Sequence, residues 1–316
     1  MLYTFANPTG REYRFMEKKE FNNKRQQDGS GDHQRKRYDN RPGYGADRGN
    51  RSREKAYTER RPERELDAVQ EYEEDTSLVI GRNAVRELLK SERPVDKLYV
   101  AGREGSIVAL VAEAKKAGIP VVDADMQKLD KMARGENHQG IIAQAAAKEY
   151  CSIADILAIA EERGEMPLIV VCDGVEDPHN LGAIIRTAEC CGAHGVVIPK
   201  RRACGLTAAV TKASAGAVEH VAVARVQNIA SAVEELKEAG VWTFAAEAGG
   251  ADFWDTDFHL PCALVMGSEG SGVSRLVKER CDFLVSIPMY GQVNSLNVSA
   301  ATSILLAHAA RKQRMG

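Results

Sequence analysis

The side chains able to do chemistry in this chain fall in three short segments. In Asp177-Pro-His-Asn-Leu-Gly-Ala-Ile-Ile-Arg186, the residues Asn180, Gly182 and Arg186 form N-x-G-x-x-x-R. Arg186 sits among Ala183, Ile184, Ile185 and Ala188. A cation in such surroundings needs an anionic or polar partner, because burying its charge alone is costly. That partner is either a ligand or an intrachain carboxylate, Glu189 or Glu176. Asn180 is likewise either a helix N-cap or a group that orients a ligand. The second segment, Gly267-Ser-Glu-Gly-Ser-Gly272, follows the apolar run Ala263-Leu-Val-Met266. Its glycines allow tight turns and close backbone approach, and its amides can hold a nucleoside or an anion. No Gly-Lys-Ser/Thr follows and no G-x-G-x-x-G is present, which excludes the P-loop and the dinucleotide fingerprint. The plainer alternative is a turn with Glu269 in solvent. The third segment, Asn294-Ser-Leu-Asn-Val-Ser299, follows Ile287-Pro-Met289. Two Asn and two Ser exceed what one helix cap needs, and the apolar stretch before them suits an adenine pocket or the core.

These segments must be held by an α/β frame. From Pro167 onward apolar strand-like runs alternate with helical patterns. The pattern predicts strands at Leu168–Cys172, Gly195–Ile198, Val221–Ala224, Val241–Ala245, Ala263–Met266 and Phe283–Ile287. It predicts helices at Leu181–Cys191, Ile229–Ala239, Ser274–Arg280 and Ser295–Arg314. Ligands of such parallel sheets gather at the carboxyl ends of strands, where all three segments fall. A smaller α/β domain is expected over residues 77–148, joined by a helical linker at 149–166 to the larger domain at 167–316.

Residues 1–76 read as a disordered tail, rich in Arg, Gln, Asn, Asp and Gly with few aliphatics. Met16-Glu-Lys-Lys-Glu is a second candidate start. Between Arg11 and Arg64 there are 17 Lys/Arg against 10 Asp/Glu, a local +7, whereas the rest of the chain carries −9. A basic arm on an acidic body points to a polyanion, with RNA the natural candidate, or else to a solubilising extension. Cysteines stand at 151, 172, 190, 191, 204, 262 and 281, with no C-x-x-C pair. They read as free thiols of a reducing cytosol, and no metal is expected. No apolar run approaches the length of a membrane span, and the N-terminus lacks an apolar signal core.

Together the three segments resemble the three motifs of the SPOUT-class RNA methyltransferases, in the SpoU/TrmH branch that modifies ribose 2′-hydroxyls. Asp173-Gly-Val-Glu-Asp-Pro-His-Asn-Leu-Gly182, Ile198-Pro-Lys-Arg-Arg202, Lys212-Ala-Ser-Ala-Gly-Ala217 and Ser295-Leu-Asn-Val-Ser299 are most similar to the bacterial 23S rRNA guanosine 2′-O-methyltransferases. Gly81-Arg-Asn-Ala-Val85 and His138-Gln-Gly140 resemble that family's ribosomal-protein-like substrate-binding domain. The resemblance spans about residues 77–313 and leaves the tail aside. It implies a trefoil-knotted parallel domain, S-adenosylmethionine as cofactor, and a homodimer whose two protomers share each site. It implies catalytic roles for Asn180, Arg186, Glu269, Ser295 and Asn297, with Glu269 fixing Arg186 or the loop. Cofactor contacts would come from Ala246, Gly267, Glu269, Gly270, Ile287, Met289, Ser295 and Leu296, with Glu247 helping to close the pocket. RNA would be met by Arg82, Asn83, Gln139, Lys200, Arg201, Arg202 and Lys212. A tRNA methyltransferase and a non-catalytic RNA-binding assembly factor are the alternatives. The latter should have lost Arg186, Asn180 or the Asn297 motif, and all three are present.

Overall fold

The computed structural model describes residues 3–6, 12–15 and 78–315. Strands β1 (Tyr3–Ala6) and β2 (Glu12–Phe15) pair antiparallel. Both lie within the stretch 1–76 expected as a disordered tail, so that expectation is corrected at these two strands; the other residues before 78 lie outside the described residues.

The first α/β domain has a four-stranded sheet in the order β3 (Leu78–Ile80), β6 (Ile141–Ala145), β4 (Val95–Val100), β5 (Val121–Asp123). β6 runs antiparallel to both β3 and β4, and β5 is parallel to β4. Helices α1 (Arg82–Lys90) and α2 (Ser106–Lys116) turn Ala84, Val85, Leu88, Ile107, Leu110 and Ala114 onto one face of the sheet. Helix α3 (Met126–Ala133) covers the other face with Leu129 and Ala133. Each helix thus buries one apolar stripe, as its period requires.

The second domain carries six parallel strands in the order β12 (Phe283–Ser286), β10 (Trp242–Asp252), β11 (Cys262–Gly267), β7 (Leu168–Asp173), β8 (Gly195–Pro199), β9 (Ala222–Val226). The central strands β7 and β11 are continuous apolar runs, buried on both faces as parallel strands are. β10 extends well past the expected Ala245, and its register with β12 shifts between Ala246 and Ala251. Helix α4 (Ile153–Arg163), expected as a linker, begins at a Ser152–Asp155 capping box and lays Ile153 and Ile156 into the core shared with Ile169, Val197 and Val233. Helix α5 (Pro178–Cys190) starts where Asp177 accepts the His179 N–H at 2.8 Å, with Pro178 as first residue. Within it, Gly182 is required by packing. A Cβ there would stand 2.5 Å from the Ala213 Cβ of helix α6 (Ala208–Ala213). Helices α7 (Ile229–Glu238) and α8 (Arg275–Arg280) lie together, and the last helix, α9 (Val298–Met315), returns to pack on α5 and β11. That return brings the C-terminal segment beside loops that follow β7 and β11.

Candidate active site

The three segments meet at the carboxyl edge of β7, β10, β11 and β12. Asn180 is buried in the first turn of α5. It is not the cap, since Asp177 holds that place. Its amide instead donates to Glu269 at 3.0 Å, and its Oδ1 accepts from Asn297 Nδ2 at 2.9 Å. Asn297 Nδ2 also donates to Glu269. The other end of Asn297 caps α9: Oδ1 accepts the N–H of Ser299 at 2.9 Å and the Ser299 hydroxyl at 2.6 Å. One side chain therefore starts the last helix and ties it to the first turn of α5 and to the loop after β11. The helix begins at Val298 rather than at Ser295 for this reason.

Two cavities flank this cluster. The smaller, about 390 Å³, is bounded by Ala246 and Glu247 where the β10 register shifts, by Gly267–Gly272, and by Ile287, Met289, Ser295 and Leu296. Its size falls within the usual range for a small-molecule site. Every expected cofactor residue lines it. Gly267 has no room for a side chain, because a Cβ would stand 2.0 Å from the Gly272 carbonyl carbon. Gly270 faces open space. The loop is pinned across its mouth by Ser268 and Gly272, whose backbones exchange hydrogen bonds at 3.2 and 2.9 Å. Met289 and Leu296 are 40% and 38% exposed, an uncovered apolar lip. No Lys or Arg lines the cavity, whereas Glu247 and Glu269 do. A nucleotide phosphate would meet carboxylates here. A phosphate-free nucleoside carrying positive charge fits, and S-adenosylmethionine is such a molecule. Ala246, Gly267, Gly270, Ile287 and Leu296 would hold it through backbone and apolar contacts, and it supplies an electrophilic methyl group.

The larger cavity, about 690 Å³, shares Ser268, Glu269, Ser271, Gly272 and Val298 with the first and reaches Asn180, Arg201 and Arg202. Glu269 thus lines both chambers and Asn180 the larger one, while Asn297, bonded to both, lines neither. Gln227 and Asn228 also line the larger one. Ser268, Ser271 and Asn294 of the smaller cavity fall within the segments expected at the site, whereas neither Gln227 nor Asn228 was among the residues expected from the sequence. Their only local signal is that Asn228 caps α7 through the Ser231 N–H.

Arg186 is not in this cluster. It lies exposed on α5, lines neither cavity, and makes no ion pair or hydrogen bond among the described residues. The expected pairing with Glu189 or Glu176 is absent there, and Glu269 fixes Asn180 and Asn297 rather than Arg186. Six residues along a helix turn a side chain well away from its starting face, which separates Arg186 from Asn180. Of the expected RNA contacts, Lys200 is exposed, and Arg201 and Arg202 line the larger cavity. Lys212 instead pairs with Glu136 of the first domain. Arg82 and Gln139 hold each other: Gln139 Oε1 accepts the Arg82 N–H at 3.0 Å, and Arg82 Nε donates to the Gln139 carbonyl at 2.9 Å. Gln139 thereby caps α1, whose own Gly81 has no side chain to do so. Asn83 is exposed and accepts from Arg86 at 2.9 Å.

Comparison with known proteins accords with this geometry. The SpoU rRNA methylase family matches residues 167–307, and the RNA 2′-O ribose methyltransferase substrate-binding domain matches residues 78–151. The Bacillus subtilis protein YacO, whose name assigns it provisionally to the TrmH family of tRNA/rRNA methyltransferases, is 50% identical over 238 residues, or 74% of this chain and 95% of YacO. The AdoMet-bound rRNA methyltransferase of Sinorhizobium meliloti superimposes with a TM-score of 0.62 at 26% identity, covering 74% of this chain and 86% of that one. The SpoU methyltransferase AviRb of Streptomyces viridochromogenes, solved with AdoMet, shares the fold with a TM-score of 0.63 at 24% identity, covering 76% and 91%. The chain belongs to the SpoU/TrmH family: it is an RNA 2′-O-ribose methyltransferase whose methyl donor is S-adenosylmethionine.

Proposed function

We propose that the protein methylates the ribose 2′-hydroxyl of a guanosine in 23S rRNA, as a homodimer in the cytoplasm. The observation that carries the reading is the wall shared by the two cavities, whose Glu269 is bonded to both Asn180 and Asn297. A ribose entering from the larger cavity meets the methyl donor's chamber across that wall. Holding a weak nucleophile within near-attack distance of its target supplies much of the acceleration in such a displacement. Glu269 keeps the two asparagine amides in place, and Ser295 borders the donor's chamber. Arg201 and Arg202 sit where phosphates of the flanking nucleotides would pass, and Lys200 extends that basic strip. Such contacts give affinity more than sequence preference.

Arg186 acts, in this reading, from a second copy of the chain. It is an exposed cation outside both cavities and unpaired among the described residues, and the resemblance implies protomers that complete each other's sites. A guanidinium stays charged at any working pH. Its part is therefore to grip the phosphate or stabilise the developing alkoxide, and the 2′-hydroxyl proton leaves by another route. The rRNA assignment rests on the sequence resemblance and on the attached substrate-binding domain. The Sinorhizobium relative named as an rRNA methyltransferase supports it. No helix among the described residues is long and apolar enough to cross a membrane.

The test is transfer of labelled methyl from S-adenosylmethionine to purified 23S rRNA and to tRNA, followed by mapping of the modified nucleotide. Methylation of a 23S guanosine ribose, abolished in Arg186→Ala, is expected. Transfer to tRNA alone, or to no RNA, overturns the assignment.

A further inference from the structure

We infer that the first domain holds a pocket for one unpaired guanine base, separate from the target nucleotide's chamber. This rests on the reading of the chain as an RNA methyltransferase and adds to it a base-reading site. The pocket is a cavity of about 440 Å³ walled by Arg82, Met126, Asp130, Glu136, Asn137 and Gln139.

Its wall is built rather than loose. Arg134 and Gln139 are non-glycine residues at φ 49° and 52°, a conformation that persists only where surroundings enforce it and that concentrates at ligand clamps. Here the enforcement is visible. Gln139 N–H donates to Asn137 Oδ1 at 3.1 Å. Gly140 N–H donates to Nδ1 of the buried His138 at 3.0 Å, so the ring proton sits on Nε2 and is given to Asp130 at 3.1 Å. Arg82 is clipped to the Gln139 carbonyl. Lys212 of the catalytic domain takes one oxygen of Glu136, which links this wall to helix α6.

What these bonds leave over defines the ligand. Among the described residues, Glu136 keeps Oε1 unbonded and a second lone pair on Oε2, so both its oxygens can accept, and Asp130 keeps one oxygen. Gln139 keeps its Nε2 and Asn137 its Nδ2 as donors. Met126, 55% exposed, offers an apolar surface on which a ring can lie, and Arg82 offers a guanidinium plane. A phosphate is excluded by the two carboxylates and by the prior engagement of Arg82. A paired base has its Watson–Crick edge already used, whereas an unpaired base can be splayed out and read on that edge. Guanine alone among the four bases presents two adjacent N–H donors, N1 and N2, to a carboxylate, with O6 left for an amide donor.

The experiment uses the full chain and hexanucleotide RNAs of uridine with one central guanosine, adenosine, cytidine or inosine, measured by fluorescence anisotropy. The guanosine oligomer is expected to bind about tenfold tighter than the adenosine or inosine ones, the scale of one bidentate base contact. Glu136→Gln removes that preference, and Met126→Ala weakens all four oligomers alike. Lys212→Gln, which frees Glu136 without altering it, keeps the preference. Equal binding of the four oligomers, an undiminished preference in Glu136→Gln, or its loss in Lys212→Gln to the same extent as in Glu136→Gln overturns the proposal. Methyl transfer to 23S rRNA, assayed separately, tells its failure apart from that of the functional reading.

Discussion

Asn297 joins the start of α9 to the reacting edge of the sheet, and its two ends can be separated by substitution. Its Oδ1 caps the helix through the Ser299 N–H at 2.9 Å and the Ala300 N–H at 3.4 Å. Its Nδ2 holds Asn180 at 2.9 Å and Glu269. Loss of the cap costs about 1 kcal/mol, and loss of a partly buried hydrogen bond about 1 kcal/mol more. Asn297→Ala should therefore destabilise by about 2 kcal/mol. Asn297→Ser keeps a capping oxygen and loses only the amide, about 1 kcal/mol. Asn297→Asp also keeps the cap but sets a carboxylate against Glu269, adding repulsion of about 1 kcal/mol at water-like screening. The expected order of stability is wild type, then Ser, then Ala and Asp together. Thermal unfolding followed by circular dichroism should resolve the steps, at roughly 2–4 °C per kcal/mol for a domain of this size. In single-turnover methyl transfer all three variants should lose rate together, by roughly 100-fold, because Asn180 is no longer held in register. If Ser destabilises as much as Ala, Asn297 is not the cap. If Ser keeps the wild-type rate, the bond to Asn180 has no part in the reaction.

Three more predictions follow from other parts of the structure. Arg186→Ala and Asn297→Ala should each retain only about a hundredth of the activity or less, yet a one-to-one mixture reassorted through mild denaturant should recover about a quarter of wild-type activity. Half the dimers would then be mixed, with one intact composite site of two; no recovery would place Arg186 in the same protomer's site. Gly267→Ala should abolish binding of S-adenosylmethionine by calorimetry, since the added Cβ meets backbone that cannot yield, 2.0 Å from the Gly272 carbonyl carbon; normal affinity would refute the close approach. His194 is buried, accepts the Leu168 N–H on Nδ1 at 3.0 Å and faces Glu165 through Nε2 at 3.1 Å. Burial lowers its pKa below the ordinary histidine value of 6.5, against the opposing pull of Glu165. The unfolded chain then binds the proton more readily, so stability is full above pH 6.5 and declines as pH falls from there toward the folded-state pKa. His194→Asn, which keeps an acceptor for Leu168, should flatten that slope in urea titrations at pH 7 and pH 5.5; an unchanged slope would assign it to another group.

The parallel frame was legible because buried central strands read as unbroken apolar runs. Leu168–Cys172 and Ala263–Met266 were placed to within a residue or so of β7 and β11. The cofactor loop was legible because glycines at 267, 270 and 272 have few other reasons to follow such a strand. Less was written in β10. Its extension past Ala245 through glycines and a register shift has no periodic signature. The short helix α6 was not among the helices predicted, because its span from Ala208 to Ala213 is too short for an apolar stripe to register.

The sequence by itself determined which residues gather at one sheet edge, since strand-to-helix junctions of parallel strands all open on the same side. Only the tertiary structure decided what they do to one another. Asn180 could be read as a cap or as a group that orients a ligand, and it is a tie bar; Gln139, expected at the RNA, also caps a helix 57 positions away. Arg186 looked like the partner of Glu269 and faces outward. The reason is physical. Side chains with one donor and one acceptor fit a cap, a loop tie or a ligand equally well, and local spacing cannot rank these. The choice is made when the last helix folds back and sets Asn297 within 3 Å of Asn180, 117 residues earlier in the chain.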